Sequence, residues 1–259
     1  MPQLKKIIYS LLLLVIAFII GGVIWIEAHY VTPIITYHNI GDHQTGMLNT
    51  VSAASFEHHM DYIKRHRIRV VSMDEWVTAL EHGQMLRNCV VIHFDDGFLD
   101  NYTQAYPILR KYGFEATVFL ISDLMGKDER FMTWEQIKQM SQGGITFGAH
   151  TRRHPYLPSL SHDEAVDEIA GSKRVIEENL GKSVDFFVYP SGGFTDQVKN
   201  IVKESGYRAA ATTNRGRNRY NKDLFELNRI RLKNSDRDIV LWAKLSGFYN
   251  IFRSEKKPH

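Results

Sequence analysis

The chain has 259 residues, 44% of them apolar, and its 32 basic and 29 acidic side chains leave a formal net charge of +3. The apolar content is enough for a sizeable core, and the weak, interspersed charge argues against nucleic acid as a partner. With one cysteine, Cys89, an intrachain disulfide is excluded.

The N-terminus carries an uncharged apolar stretch of twenty residues, Ile7–Ile26, directly after Lys5 and Lys6. As a helix, this stretch is long enough to cross about 30 Å of hydrocarbon, and the lysines predict a cytoplasmic N-terminus. We therefore expect a signal-anchor in residues 1–28 that attaches the chain to the cytoplasmic membrane, and an extracytoplasmic domain in residues 29–259. Cleavage at the weak small-residue site 26–28 would instead give a secreted protein. A single span excludes a transporter.

Predicted strands and helices alternate along the rest of the chain. The strand candidates are 32–38, 69–71, 90–97, 115–121, 145–149, 185–189, 207–212 and 227–232. Capping boxes predict helices that begin after Ser72, Thr133 and Ser161, and a helix is expected over 99–112. This alternation is typical of parallel strands joined by crossover helices, in a closed barrel or an open sheet, and we favour the barrel.

Candidate functional residues follow several of these strands, where active sites of such folds are built. A buried strand ends at Asp95-Asp96-Gly97, and two acids there are costly unless a cation compensates them. Alone, this tripeptide is more simply a solvated turn. His150 and His154 follow another strand, and a spacing of four places both imidazoles on one face of a helical turn. Two imidazoles and one carboxylate are typical of a catalytic zinc site, with the second carboxylate free to accept a proton from water.

Two motifs together resemble the signatures of the NodB-like polysaccharide deacetylases, the fourth family of carbohydrate esterases. The (T/S)FDDG signature is matched by residues 93–97, with His93 in place of the hydroxyl residue, and H(S/T)xxH is matched by residues 150–154. The resemblance covers about 33–232 and implies a distorted (β/α) barrel with about seven to eight parallel strands. It also implies a general base at Asp95 and one divalent metal ion on Asp96, His150 and His154. Zinc is the default ion, with cobalt or nickel as alternatives.

The third signature of the family, RxPYG, differs here, because Val188 replaces the arginine and Ser191 the tyrosine. The Tyr-Pro-x-Gly form resembles a circularly permuted branch of exported poly-N-acetylglucosamine deacetylases. That resemblance implies that His38 is the general acid, and Arg229 resembles a family position that orients the base.

The turn after the strand at 185–189 carries the remaining candidate site residues. We expect substrate contacts at Tyr189, Pro190 and Ser191, with the Ser191 backbone N–H as an oxyanion donor.

The expected function is removal of N-acetyl groups from a poly-β-1,6-N-acetylglucosamine-like glycan, with release of acetate. Alternatives are a peptidoglycan or chitin-oligomer deacetylase with the same centre, a small-molecule amidase, and a non-catalytic membrane-anchored glycan-binding protein. The predicted partners are an acetylated glycan polymer and the membrane, and no protein partner is predicted. Arg152 and Arg153 are expected to be solvated. Other histidines are expected at the surface, including His58, His59, His66 and His82.

Overall fold

The computed structural model describes residues 2–41, 49–213 and 223–249. Helix α1 (Pro2–Glu27) stands apart from the remainder of the chain with its apolar side chains exposed. In the described part of the chain it is the one helix that is long and apolar enough to cross a membrane. Six residues separate its end from the first strand, so the folded domain begins directly after it.

The domain is built on a parallel sheet. In the described residues its strands are β1 (Ile34–Tyr37), β2 (Arg69–Val70), β3 (Cys89–Phe94), β4 (Thr117–Leu120), β5 (Thr146–Ala149), β6 (Phe186–Val188), β7 (Ala209–Ala211) and β8 (Ile230–Arg231). Their order is β7-β6-β5-β4-β3-β1-β8, with β2 paired to β3, and every pairing is parallel. The predicted α/β class is confirmed.

One segment connects the two ends of the sheet. Leu227 pairs with Ala211 of β7, whereas β8, three residues further on, pairs with β1. The predicted strand 227–232 is therefore divided between two neighbours, and Arg229 lies between its two pairings. This division gives the barrel its distorted, incompletely closed form.

Helices surround the sheet. They are α2 (Ala53–Arg65), α3 (Met73–Glu81), α4 (Tyr106–Tyr112), α5 (Trp134–Gln142), α6 (His162–Leu180), α7 (Asp196–Glu204) and α8 (Asp238–Leu245). They cover the outer face of the sheet, except that α3 packs Met73, Trp76 and Val77 against strand residues of the opposite face. The capping boxes at Thr133 and Ser161 are complete. At Ser72 only half of the box forms, because the Glu75 carboxylate pairs with Arg69 at 2.8 Å.

The helix predicted over 99–112 is irregular in its first half. Residues Asn101–Ala105 form a π-helical turn before α4. Asn101 is fully buried there, and its side-chain amide donates to the carbonyl of His38 at 2.8 Å. The irregular turn thus connects the end of β3 to the end of β1.

His59 on α2 corrects a prediction. It is fully buried rather than at the surface, and its ring bonds the Tyr37 hydroxyl at 3.0 Å and the Asp236 carbonyl at 3.3 Å. Burial lowers its pKa to about 4. The helical pattern of the sequence did not predict this burial. It shows which residues face inward, but not that an inward histidine would find hydrogen-bond partners there.

Candidate active site

An open cavity of about 660 Å³ lies at the carboxyl ends of the strands. Eight of the nine predicted site residues line it: His38, Asp95, Asp96, His150, His154, Tyr189, Ser191 and Arg229. The ninth, Pro190, is buried and begins the short 3-10 turn that carries Ser191. The structure therefore gathers residues that are up to 191 positions apart in the chain, from 38 to 229.

Asp96, His150 and His154 form a cluster with the donor set of a metal site. The Asp96 Oδ1 atom lies 3.6 Å from His150 Nε2 and 3.8 Å from His154 Nε2. One candidate ligand atom from each residue falls within 4.8 Å of the others. Separations of this size suit three ligands of one ion with bonds of about 2 Å.

The charges in this cluster fit a cation. Burial, followed by the neighbouring charge of Asp95, raises the pKa of Asp96 to about 6. Burial lowers the pKa of His150 to about 3 and also lowers that of His154, so both imidazoles are neutral near neutral pH. A divalent ion would supply the positive charge that neutral imidazoles do not give to the Asp96 carboxylate. The residues present therefore fit a metal ion.

Backbone geometry aims these three side chains. Asp96 and His154 have positive φ angles of 72° and 64°, and Thr151 between the histidines has 67°. His150 Nδ1 donates to the Val188 carbonyl at 2.7 Å, which leaves Nε2 as the free nitrogen. The Thr151 hydroxyl accepts the backbone N–H of His154 at 3.0 Å. The His150–His154 loop is thus held in a strained, specific conformation.

Glu168 on α6 supports the same loop and was not among the residues predicted from the sequence. Its carboxylate accepts the backbone N–H groups of Arg152 and Arg153 at 2.9 and 3.0 Å, and the Nε of Arg153 at 2.6 Å. Only 2% of Glu168 is exposed. The sequence did contain a sign of this role. Glu168 lies beside Ile169 on the inner face of a predicted helix, where the other residues are apolar or small.

The two arginines of this loop differ in their exposure. Arg152 pairs with Asp167 at 2.7 Å and with Asp123 at 3.1 Å and is partly buried, which corrects the prediction that it is solvated. Arg153 pairs with Glu168, but its side chain stays 59% exposed, as predicted.

Asp95 has a fixed cationic partner. Arg229 Nη1 donates to Asp95 Oδ1 at 2.6 Å, and both side chains are almost completely buried. Arg229 Nε donates to the Thr212 carbonyl at 2.9 Å, which holds the guanidinium in place. Burial would raise the pKa of Asp95, but the positive charge of Arg229 and the hydrogen bond that it donates outweigh burial and hold that pKa well below its usual range.

This contact explains how the site manages without an arginine at position 188. Val188 packs its side chain in the core and contributes only its carbonyl, to His150. The guanidinium reaches Asp95 from the segment that joins β7 to β8.

His38 follows β1 on the other side of Asp95. Its Nε2 lies 3.8 Å from Asp95 Oδ2, and 24% of the side chain is exposed to the cavity. His93, at the position of the usual hydroxyl residue, is instead fully buried against Phe119, with ring centroids 4.8 Å apart.

The turn after β6 forms part of the cavity wall. Ser191 is exposed and has a positive φ of 54°. The Tyr189 ring is buried, and its hydroxyl donates to the Phe225 carbonyl at 3.1 Å. The polar atom of Tyr189 is therefore committed to the fold, and the substrate contacts of this turn stay a prediction.

Comparison with known proteins relates this arrangement to one family. The family model described as polysaccharide deacetylase matches residues 82–210. YxkH of Bacillus subtilis (strain 168), an inferred polysaccharide deacetylase, is 31% identical over 201 residues, which are 77% of this chain and 71% of YxkH.

Two further proteins, one known by its sequence and one by its solved structure, are also similar to this chain. The poly-β-1,6-N-acetyl-D-glucosamine N-deacetylase of Staphylococcus aureus (strain MSSA476) is 26% identical over 172 residues, which are 61% of this chain and 59% of that enzyme. The Streptococcus pyogenes deacetylase PplD, solved with acetate, superposes with a TM-score of 0.78 at 30% identity. That match covers 83% of this chain and 97% of PplD.

Proposed function

This chain belongs to the polysaccharide deacetylase family, and we propose that it removes N-acetyl groups from a poly-β-1,6-N-acetylglucosamine-like glycan and releases acetate. The main support for the proposal is that two groups of candidate catalytic residues line the same open cavity. The Asp95–Arg229 pair lies directly beside the Asp96–His150–His154 cluster. The choice of glycan is supported by the name of the Staphylococcus aureus relative.

Asp95 is suited to the role of general base. Arg229 keeps its carboxylate ionised, and a carboxylate is a proton acceptor only in that form. In this role, Asp95 accepts a proton from the attacking water molecule. Arg229 also restricts the carboxylate to one orientation, since the guanidinium is itself bonded to a backbone carbonyl.

Asp96, His150 and His154 would hold a divalent ion, which we take to be zinc, with cobalt or nickel as alternatives. Such an ion, when bound, supplies Lewis-acid chemistry, because it polarises a carbonyl group and makes water more acidic. The fixed Nδ1–H bond of His150 presents the neutral tautomer that metal binding needs.

His38 is assigned the role of general acid. As the C–N bond of the acetamide breaks, His38 donates a proton to the leaving amine nitrogen, and a glucosamine unit and acetate separate. Its place beside Asp95 at the cavity wall supports this assignment. The Ser191 backbone N–H would donate to the carbonyl oxygen as negative charge develops there.

We further propose that α1 is a signal-anchor and that residues 29–259 form the catalytic domain outside the cytoplasmic membrane. The support is the length and hydropathy of α1 and the exposure of its apolar side chains. Cleavage after α1 would release the same domain as a secreted enzyme.

Acetate release by the full-length chain in detergent tests the enzymatic proposal. Poly-β-1,6-N-acetylglucosamine and peptidoglycan are offered separately to zinc-loaded protein, chelator-treated protein and the Asp95→Asn variant. We expect release from the first glycan by the zinc-loaded protein alone.

Faster release from peptidoglycan would replace the proposed substrate and keep the chemistry. Glycan binding without acetate release from either polymer, by zinc-loaded protein, would contradict the enzyme and favour a binding protein.

A further inference from the structure

Helix α8 exposes a group of large apolar side chains. Ile239 is 75% exposed and Trp242 is 62% exposed, whereas Leu241 and Leu245 on the same helix are buried. Ile239 and Trp242 are three residues apart and therefore share a face. Outside α1, the described residues expose five large apolar side chains, and three of them belong to α8 (Ile239, Val240 and Trp242).

Trp242 lies next to the end of α1. It lines a cavity of about 370 Å³ together with Glu27, the last residue of α1, and Tyr30 and Arg87. Arg87 bonds the Glu27 carboxylate and donates to the Glu27 carbonyl at 2.9 Å, and its guanidinium lies 4.5 Å from the centre of the Tyr30 ring. These contacts fix the end of α1 against the domain.

The backbone after α1 is tied to α8 as well. Val31 donates its N–H to the carbonyl of Gly247, two residues after the end of α8, at 2.9 Å, and Tyr30 packs on Phe248 with ring centroids 5.5 Å apart. Tyr30 is 94% buried, given its exposed fraction of 6%. The segment between α1 and β1 is therefore held against the domain, and the carboxyl end of α8 lies close to the end of α1.

The direction of the strands sets the orientation of the domain. β1 begins six residues after α1 ends, and every strand of the sheet is parallel to it. The amino ends of the strands thus face α1, and the cavity at their carboxyl ends faces the opposite way. Asn88, which precedes β3, donates its backbone N–H to the Tyr30 hydroxyl at 3.2 Å, in agreement with this orientation.

We propose that Ile239 and Trp242 lie in the interfacial layer of the phospholipid bilayer beside α1, so that α8 forms a second attachment of the domain to the membrane. The inference rests on the proposed anchoring role of α1. Tryptophan is enriched at this layer because its ring is apolar and its N–H is polar, and a short amphipathic helix lies along it readily. The one acid of α8, Asp238, is paired with His58 at 3.0 Å.

This second attachment restricts rotation of the domain about the end of α1. With two contacts, the cavity is held facing away from the bilayer, toward polymer outside the lipid layer.

Site-directed labelling of the full-length chain in vesicles of phosphatidylcholine and phosphatidylglycerol tests the inference. An environment-sensitive NBD label is placed on Ile239→Cys, Trp242→Cys and, as the control, Val166→Cys. Val166 is also an exposed apolar side chain, but it lies on α6, which packs against β5 and α7. The native Cys89 is 1% exposed and leaves the introduced thiols as the reactive ones.

We expect blue-shifted NBD emission at positions 239 and 242, and several-fold stronger quenching by a phospholipid with a shallow doxyl group than at 166. Vesicle flotation is measured on the same samples. Water-exposed labels at 239 and 242 on chains that float with the vesicles would overturn the inference and leave the α1 anchor intact. Labels shielded from water but not quenched by the lipid, with cross-linking between copies at 242, would replace the lipid by a second copy. Chains that do not float would remove the anchor, and the inference with it, while acetate release would be unaffected.

Discussion

Asp95 and Asp96 are consecutive residues after one strand, and the protein places them in opposite electrostatic surroundings. Asp95 bonds a buried arginine of the same chain, and its pKa is held below the usual range. Asp96 faces two neutral imidazoles, and burial raises its pKa to about 6. One carboxylate is compensated within the fold, whereas the other lies in a set of donors that fits a cation.

The comparison shows how one strand end can carry two functions. The positive φ of Asp96 turns the chain directly after Asp95, so the two side chains enter different sets of partners. The half of the site around Asp95 is complete without a ligand. The half around Asp96 is a set of donors that depends on α6 and the His150–His154 loop for its geometry. Each of the following changes at the site acts on one half and leaves the other as a reference.

The largest effect is expected from replacing the two aspartates separately. Asp95→Asn should retain bound zinc and lose about 10²–10⁴-fold in the rate of acetate release, the usual contribution of a general base. Asp96→Ala should lose both the metal and the activity. Metal content by mass spectrometry and acetate release are measured on the same preparations. Loss of zinc from Asp95→Asn would show that the two halves are not separate.

Arg229→Met should remove the buried cation that pairs with Asp95. A buried carboxylate left unpaired costs about 3–5 kcal/mol of folding stability, to be measured by urea unfolding. Because the pKa of Asp95 would rise, its ionised form would be lost at higher pH, and the acidic limb of the pH–rate profile should move upward. The double variant Arg229→Met/Asp95→Asn should recover part of the stability but not the activity. An unchanged acidic limb in Arg229→Met would argue against Asp95 as the base.

Glu168→Gln tests the support of the metal half. Loss of the carboxylate that holds the two backbone N–H groups should weaken zinc affinity about 10–100-fold, as for other residues that orient metal ligands. Affinity is measured by competition with a chromophoric chelator. Asp167→Asn on the same helix is the matched control, because Asp167 pairs only with arginine side chains. Equal zinc affinities in the two variants would limit Glu168 to a general structural role.

The smallest effect concerns His59, a buried histidine that the fold keeps neutral without any metal. Its pKa of about 4 lies below the ordinary value, so the unfolded chain binds a proton more readily than the folded chain. Its share of stability is present above about pH 6.5 and is lost as the pH falls toward about 4, by at most about 1.4 kcal/mol per pH unit. Urea unfolding of zinc-loaded protein between these values should show a shallower pH dependence for His59→Gln than for the wild type. Equal slopes would contradict the prediction.

Much of the sheet and of the site was accessible from the sequence. Turn residues and apolar runs predicted each of the eight strands in the described residues. The spacing of polar residues identified Asp95, Asp96, His150 and His154 as candidates. The predicted strand 227–232 was too long, because Leu227 and β8 pair with opposite edges of the sheet. The contact from Arg229 to Asp95 spans 134 positions, and it was expected only through a family resemblance.

The residues that were missed or misjudged share a physical reason. Glu168, His59 and Arg152 acquire their environments from elements far away in the chain. A periodic pattern indicates which face of a helix is inner, but it does not tell whether a polar residue there has a buried partner. Such partners exist only after the sheet has brought α6 and the β5 loop, or α2 and β1, together.

The left-handed backbone around the cavity has a consequence for engineering. Asp96, Thr151, His154 and Ser191 all have positive φ angles, which cost a residue with a side chain about 1 kcal/mol or more compared with glycine. A library screened for heat resistance alone should therefore accumulate glycine at these positions and lose the enzyme as it gains stability. Selection for thermostable variants therefore needs an activity screen at every round, because these four positions belong to the candidate site.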